Sequence, residues 1–198
     1  KENVYLYQEP RKNNQYIMTV DVARGRGQDY STFSIFDVTE KPFKQVGIYR
    51  NNLISPLLFP DVIARYAKMY NEAIVIVENN DQGQIVCNNL HYDLEYPNVF
   101  MESSVKSTGI GVTMTRKVKQ IGCSTLKELM EENKLRVIDK FTISELVTFV
   151  AKGQSYEADG GNHDDLVMNL VLFAWFITTP YFQSLTDLEL KKMLYDEQ

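Results

Sequence analysis

The stretch Tyr16-Ile17-Met18-Thr19-Val20-Asp21-Val22 decides how this chain is read. β-Branched and aromatic residues dominate it, as a strand prefers. One carboxylate, Asp21, sits near its end. The next residues, Ala23-Arg24-Gly25-Arg26-Gly27-Gln28-Asp29, are glycine-broken and basic, so the strand stops there. A second strand pattern follows at once over residues 30–38. An acid at the end of a core strand costs free energy if it is buried without a partner. Two readings meet that cost. Asp21 either caps a turn or pairs with Arg24 or Arg26, since Asp and Gly are ordinary turn residues, or it ligates a metal. The second reading needs more acids brought beside it.

Working outward, residues 43–50, past Lys41-Pro42, form a third strand pattern, and three strands joined by short turns make an antiparallel meander. Residues 1–15 are polar and mixed, with Pro10, and read as an irregular arm or linker. Over residues 57–70 the period becomes helical, with Leu58, Val62, Ile63, Tyr66 and Met69 along one side. Ala73-Ile74-Val75-Ile76-Val77 is continuously apolar, as a strand buried on both faces is. It ends in Glu78-Asn79-Asn80-Asp81, so a second core strand carries an acid at its end. Residues 84–94 read as a helix and 98–102 as a short strand. Strands alternating with helices imply a parallel part of the sheet, hence an α/β mixed sheet flanked by helices.

Residues 103–113 are Ser- and Gly-rich and read as a mobile loop or hairpin. A helix over 115–133, a strand over 135–138 and a helix over 142–150 follow, the last with Thr142-x-x-Glu145 as a capping box. The turn Gly160-Gly161-Asn162-His163-Asp164-Asp165 opens a helix over 166–178, apolar nearly all round and therefore buried. After Pro180, Leu185, Leu188, Leu190 and Leu194 mark a small amphipathic helix that docks on this domain or on a partner. The expected division is an arm at 1–15, one domain at 16–180 and a helical tail at 181–198.

The 198 residues suffice for one well-cored domain, and 44% hydrophobic with 24% charged residues is ordinary for a globular protein. The chain opens on Lys1 rather than Met, so either a piece of a longer protein or a trimmed chain is expected. Cys87 and Cys123 fit no zinc spacing and no disulfide framework, and both fall in helical patterns, where buried free thiols suit a reducing cytosol. No secretory signal is visible, and the longest apolar run, 166–177, contains Asn169 and is too short to span a bilayer. The net charge of −5 gives no support of its own to nucleic-acid binding. An acidic metal site subtracts from such a total, however, and basic residues can gather on one face.

Three acidic positions share a context: Asp21 and Glu78 at strand ends, and Asp164-Asp165 at a helix start. Each has a plain alternative. Asp164 serves equally as a helix N-cap, and Glu78 as one half of an ion pair. Together they suggest one site. If the two strands are parallel neighbours, both acids emerge at one sheet edge, where the last helix can present its own. Clustered carboxylates repel one another, and a divalent cation removes that cost. Mg²⁺ suits such oxygen ligands, and two ions about 3.5–4 Å apart can activate a water and stabilise the leaving oxygen of a phosphodiester. Arg24 and Arg26 stand ready to hold a phosphate. Lys106, Arg116, Lys117 and Lys119 either follow a nucleic-acid backbone or form a solvated helix face. Asp29 and His163 are auxiliary candidates, the first also a turn residue, the second able to orient a water or act as an acid.

Strand order and acid placement resemble the ribonuclease H-like nucleases. More closely, Thr19-Val20-Asp21-Val22-Ala23-Arg24-Gly25, Leu94-Glu95-Tyr96-Pro97-Asn98 and Asn162-His163-Asp164-Asp165-Leu166 resemble the nuclease domain of the large terminase subunit of T4-like tailed phages, over residues 16–177. The resemblance implies a domain of a DNA-packaging motor that cuts concatemeric double-stranded viral DNA with Mg²⁺ or Mn²⁺, one or two ions, in the host cytoplasm. It implies Asp21, Glu78 and the Asp164-Asp165 pair as catalytic ligands. It implies an N-terminal ATPase domain, a small terminase subunit and a portal as partners, and no membrane. No Gly-x-x-x-x-Gly-Lys-Ser/Thr phosphate loop occurs in this sequence, so ATP hydrolysis is not expected of it. The segment near residues 103–113 is shorter than the family leads one to expect. The competing readings are a Holliday-junction resolvase-like nuclease on the same fold, which would prefer branched DNA, and a non-catalytic docking module that binds no metal.

Overall fold

The computed structural model describes residues 3–103, 108–152 and 155–186. A short strand, β1 (Val4–Leu6), precedes the expected meander of β2 (Tyr16–Asp21), β3 (Ser31–Asp37) and β4 (Phe43–Asn51). Helix α1 (Phe59–Met69) leads to β5 (Ile74–Val77), and α2 (Gly83–Asn88) runs into a π-helical turn, Asn89–Asp93. A hairpin of β6 (Met101–Ser103) and β7 (Thr108–Ile110) precedes α3 (Arg116–Glu131) and β8 (Leu135–Arg136). Then come α4 (Lys140–Thr148), a hairpin of β9 (Phe149–Lys152) and β10 (Ser155–Ala158), and α5 (Asp165–Phe176). A helical segment at Pro180–Thr186 follows, bent 71° from α5.

The main sheet runs β1-β4-β3-β2-β5, with β8 parallel to the start of β4. β2, β3 and β4 are antiparallel, whereas β5 joins β2 in parallel, pairing Ile17 with Ile74 and Val20 with Val77. Because successive strand residues point to opposite faces, the central strands feed two cores. Met18, Val20, Phe33, Ile35, Val75 and Val77 pack with Ile63, Ala67 and Tyr70 of the α1 side. Ile17, Phe36 and Ile76 pack with Val118, Leu126, Val171 and Phe173 of the α3 and α5 side. The result is a sheet between two helical layers. Every residue of α5 is buried, and its ring contacts include Phe173 stacked on Phe36 at 4.1 Å. Each such side chain contributes about 1.5–3 kcal/mol by leaving water.

Several expectations change. The arm read as irregular contains β1, which pairs antiparallel with β4, and the Tyr7 hydroxyl donates to Asp139. On α1 the buried stripe is Phe59, Ile63, Tyr66 and Ala67, while Leu58 and Met69 are exposed, so the helix is rotated from the expected face. The capping box at Thr142 is absent. The cap is Asp139, whose carboxylate accepts from the Thr142 N–H at 2.6 Å and the Thr142 hydroxyl at 2.8 Å. Residues 149 and 150, expected as the end of a helix, instead open β9, which pairs antiparallel with β10. The 103–113 stretch is a hairpin where described. Lys106 and the tail leucines Leu188, Leu190 and Leu194 lie outside the described residues. Both cysteines are free and buried. Among the described residues no single helix is long and apolar enough to cross a membrane.

Candidate active site

Asp21 ends β2 and Glu78 follows the last residue of β5. The parallel register aligns Val20 with Val77, and the Glu78 N–H donates to the Val20 carbonyl at 2.9 Å, so the two acids leave the sheet side by side. The alternation that sends Ile17 and Ile76 to the α5 side assigns Asp21 and Glu78 to the same side. Register, direction and parity thus converge on one place, the N-terminus of α5.

That end of α5 is pinned to the sheet. The Thr19 hydroxyl donates to the Asn169 carbonyl at 3.0 Å and the Asn169 amide to the Thr32 hydroxyl at 2.7 Å. The Thr32 hydroxyl donates to the Asp165 carbonyl at 3.2 Å, and the Tyr30 N–H to the Asp165 carboxylate at 3.3 Å. Asp164 occupies the N-cap position without capping: its side chain takes none of the helix N–H groups and accepts instead from the Ala158 N–H at 3.3 Å. The free amides of Leu166 and Val167 go to Glu145 Oε2, at 2.7 and 3.2 Å. The plain alternative for Asp164 is therefore excluded, because another residue does that work.

The electrostatics describe a crowded acidic site. Burial, then Glu78, Asp165 and Asp164, hold the Asp21 carboxyl well above the usual carboxylate range, against the pull of the Val22 N–H. Burial pushes Glu78 up to about 7, with Lys119 opposing and Asp164 adding. Burial raises Asp165 to about 6, opposed by the Tyr30 N–H and His163 and reinforced by Asp29 and Asp164. A cleft of about 350 Å³ opens over the group, lined by Asp21, Arg24, Arg26, Asp29, Asp81, Asp164 and Asp165. Glu78 stands outside that lining but beside Asp21 in the register, and its charge and those of Asp21 and Asp164 repel one another.

The other expected residues divide. Arg24 and Arg26 reach the cleft, but Arg24 pairs with Asp81 at 2.8 Å, both side chains more than half exposed, and not with Asp21. Asp29 lines the cleft. His163 Nδ1 lies 3.5 Å from the Asp165 carboxylate, its ring edge-on to Tyr30. Arg116 and Lys119, one turn apart on α3, line a shallow groove with Thr115 and Ser155. Lys117 is exposed off that groove. Asp81, Glu145 and Arg50 were not foreseen. Asp81 had a signal, three residues after Glu78 in the same strand-ending run. Glu145 stood out only as half of a capping box on its own helix, and nothing local showed that its bonds cross 21 residues to another helix.

A family model described as the terminase RNaseH-like domain matches residues 18–174. The chain belongs to that family. Terminase nuclease domains share its fold across wide sequence distances. The large terminase nuclease of thermophilic phage G20c, with bound magnesium, is 23% identical, covers 88% of this chain and 87% of its own, and superposes with a TM-score of 0.71. The large terminase nuclease domain of Thermus phage P74-26 is 23% identical over 87% of this chain and 84% of its own, with a TM-score of 0.67. The human cytomegalovirus terminase nuclease domain, soaked with manganese, is only 8% identical over 84% of each chain, yet its TM-score is 0.59. This terminase domain therefore has the expected RNase H-like mixed sheet.

The donor set in this terminase domain fits a hard divalent cation: carboxylate oxygens, buried and mutually repelling, and no thiolate. Among the described residues no three Asp, Glu, His or Cys side chains enclose an ion by themselves. An ion held here would complete its shell with other oxygens, as Mg²⁺ ordinarily does with water.

Proposed function

We propose that this terminase domain is a Mg²⁺- or Mn²⁺-dependent endodeoxyribonuclease that cuts concatemeric double-stranded genome DNA with little sequence preference. The observation that carries the reading is the meeting of Asp21 and Glu78, paired by the parallel β2–β5 register, with Asp164 and Asp165 of α5. The relatives' structures with magnesium, cobalt and zinc support a divalent ion without selecting one. Asp21, Glu78, Asp164 and Asp165 would hold it. When bound, such an ion offsets the clustered charge, acidifies an attacking water and stabilises the departing 3′ oxygen.

The rest of the work falls to the chain's own residues. Arg24 and Arg26, at the cleft wall, seat a backbone phosphate, and Arg116 and Lys119 extend the basic track along the neighbouring groove. Phosphate contacts carry no base information, which agrees with weak sequence preference. His163 and the Tyr30 N–H orient the Asp165 carboxylate. ATP hydrolysis is assigned to an ATPase domain outside this sequence, with the small terminase subunit and portal as further partners in the infected host cytoplasm.

The test is nicking and linearisation of plasmid DNA with Mg²⁺, Mn²⁺ or EDTA, for this chain and for Asp21→Asn. Metal-dependent cutting that the substitution abolishes is expected. Equal behaviour of the two proteins, folded and at matched concentrations, would overturn the proposal.

A further inference from the structure

The last two acids of the site can face the cleft only because something else satisfies the start of their helix. An α-helix begins with four N–H groups that have no partner within it, and an acid at the N-cap position ordinarily takes one or two of them. In α5 that position belongs to Asp164, which takes none. Glu145, on α4, inserts one carboxylate oxygen into the turn and accepts from both Leu166 and Val167. Its side chain is only 7% exposed. Among the described residues its second oxygen has no hydrogen-bond partner; it lies 4.0 Å from Arg50 Nε, which likewise has none there.

Arg50 is itself fixed. Its guanidinium lies 3.6 Å above the Tyr30 ring, and the Tyr30 N–H, with His163, holds the Asp165 carboxylate. A closed frame results: Glu145 holds the first turn of α5, Arg50 sits against Glu145 and Tyr30, and Tyr30 holds Asp165. The frame is anchored from outside the site, because α4 is capped by Asp139, which also accepts from Tyr7 beside β1.

We propose that Glu145 is a positioning residue of the nuclease site: by capping α5 from the neighbouring helix it releases Asp164 and Asp165 from capping and aims them at the divalent ion. The inference rests on the nuclease reading above. Without Glu145, the vacant amides of Leu166 and Val167 draw in the carboxylate at the N-cap position, Asp164, which then turns away from the cleft.

The experiment compares wild type, Glu145→Ala and Glu145→Gln by three measurements: Mn²⁺ affinity by calorimetry, hydrogen exchange at the Leu166 and Val167 amides, and plasmid cleavage beside DNA affinity in EDTA. Glu145→Ala should weaken Mn²⁺ binding and slow cleavage by about 10–100-fold, the usual effect of removing support from behind a ligand. DNA affinity should stay within about twofold, since neither protein's phosphate contacts change. The two amides should exchange faster in Glu145→Ala. Glu145→Gln keeps an oxygen acceptor and should recover slow exchange, with Mn²⁺ affinity within about fivefold of wild type.

A folded Glu145→Ala with wild-type Mn²⁺ affinity overturns the inference. So does a Glu145→Gln as impaired as Glu145→Ala, which would make the charge itself, not the cap, the working feature. Should Glu145→Ala fail to fold, the wild-type amides and the Gln variant still decide: unprotected amides at Leu166 and Val167 overturn the cap. Loss of Mn²⁺ binding and cleavage in wild type itself would instead strike the nuclease reading.

Discussion

At the scale of single residues, the site is an arrangement of acids held against their own repulsion. Asp21 is the most burdened, raised by burial and by three other carboxylates. Asp21→Asn is therefore expected to do two opposite things. Cleavage with Mg²⁺ should fall by about 100-fold or more, the scale seen when a group that stabilises developing charge is removed. The metal-free protein at pH 8 should become more stable, by about 1 kcal/mol or a few degrees in Tm, as functional acids are often held at the expense of stability. Melting curves in EDTA beside a plasmid assay check both halves. Asp81 offers a second prediction. Its pair with Arg24 is largely exposed, so its worth to stability is small, about 0–1 kcal/mol. Asp81→Asn should leave Tm within about a degree while freeing a guanidinium at the cleft wall. DNA affinity at low salt should rise about two- to fivefold, by titration of a labelled duplex. The acids themselves were legible in the sequence, because a carboxylate at the end of an apolar run stands out. The partner of Asp81 and the place of Arg50 were not, because both depend on which segments lie across from one another in the fold.

At the scale of elements, α5 carries the greatest responsibility, bringing the last acids to the sheet edge while filling the core on that side. Its approach to α3 depends on Gly122, where a Cβ would collide with the Val171 carbonyl. Gly122→Ala must push the two helices apart, and overpacking of this kind costs about 1–3 kcal/mol. The expected result is a Tm lower by about 4 °C or more, with metal-dependent cleavage per folded molecule reduced, because α5 also sets Asp165. A Tm equal to wild type would contradict the packing described. The long elements were readable from period and composition: the meander, the apolar β5, the buried α5. The failures came where a local signal met a tertiary competitor. Thr142-x-x-Glu145 has the form of a capping box, but Asp139 takes the Thr142 amide and α5 takes Glu145. The N-terminal arm reads as linker because three residues suffice for β1, and its partner β4 lies some forty residues away.

At the scale of the whole molecule, the cluster makes stability depend on pH. Glu78 and Asp165 titrate at about 7 and about 6, and Asp21 is raised as well. For each, the folded value lies above the ordinary one, so between about pH 4 and 7 the folded state binds more protons than the unfolded state. The cluster's contribution to stability in that window falls as the pH rises. In EDTA the Tm should be lower at pH 8 than at pH 5.5, and a divalent ion, binding the ionised cluster in the folded state alone, should restore it at pH 8. A Tm that rises with pH in EDTA would count against the cluster as described. The sequence by itself determined the class of the fold, the strands and helices that carry acids, and the family, since these are written in local periodicity and short motifs. Only the tertiary structure decided that Asp21 and Glu78 stand together, that Asp164 is free of its helix cap and that Arg24 answers Asp81. Each of those follows from strand register or from contacts between segments distant in the chain, and no local pattern of residues encodes a distance across the fold.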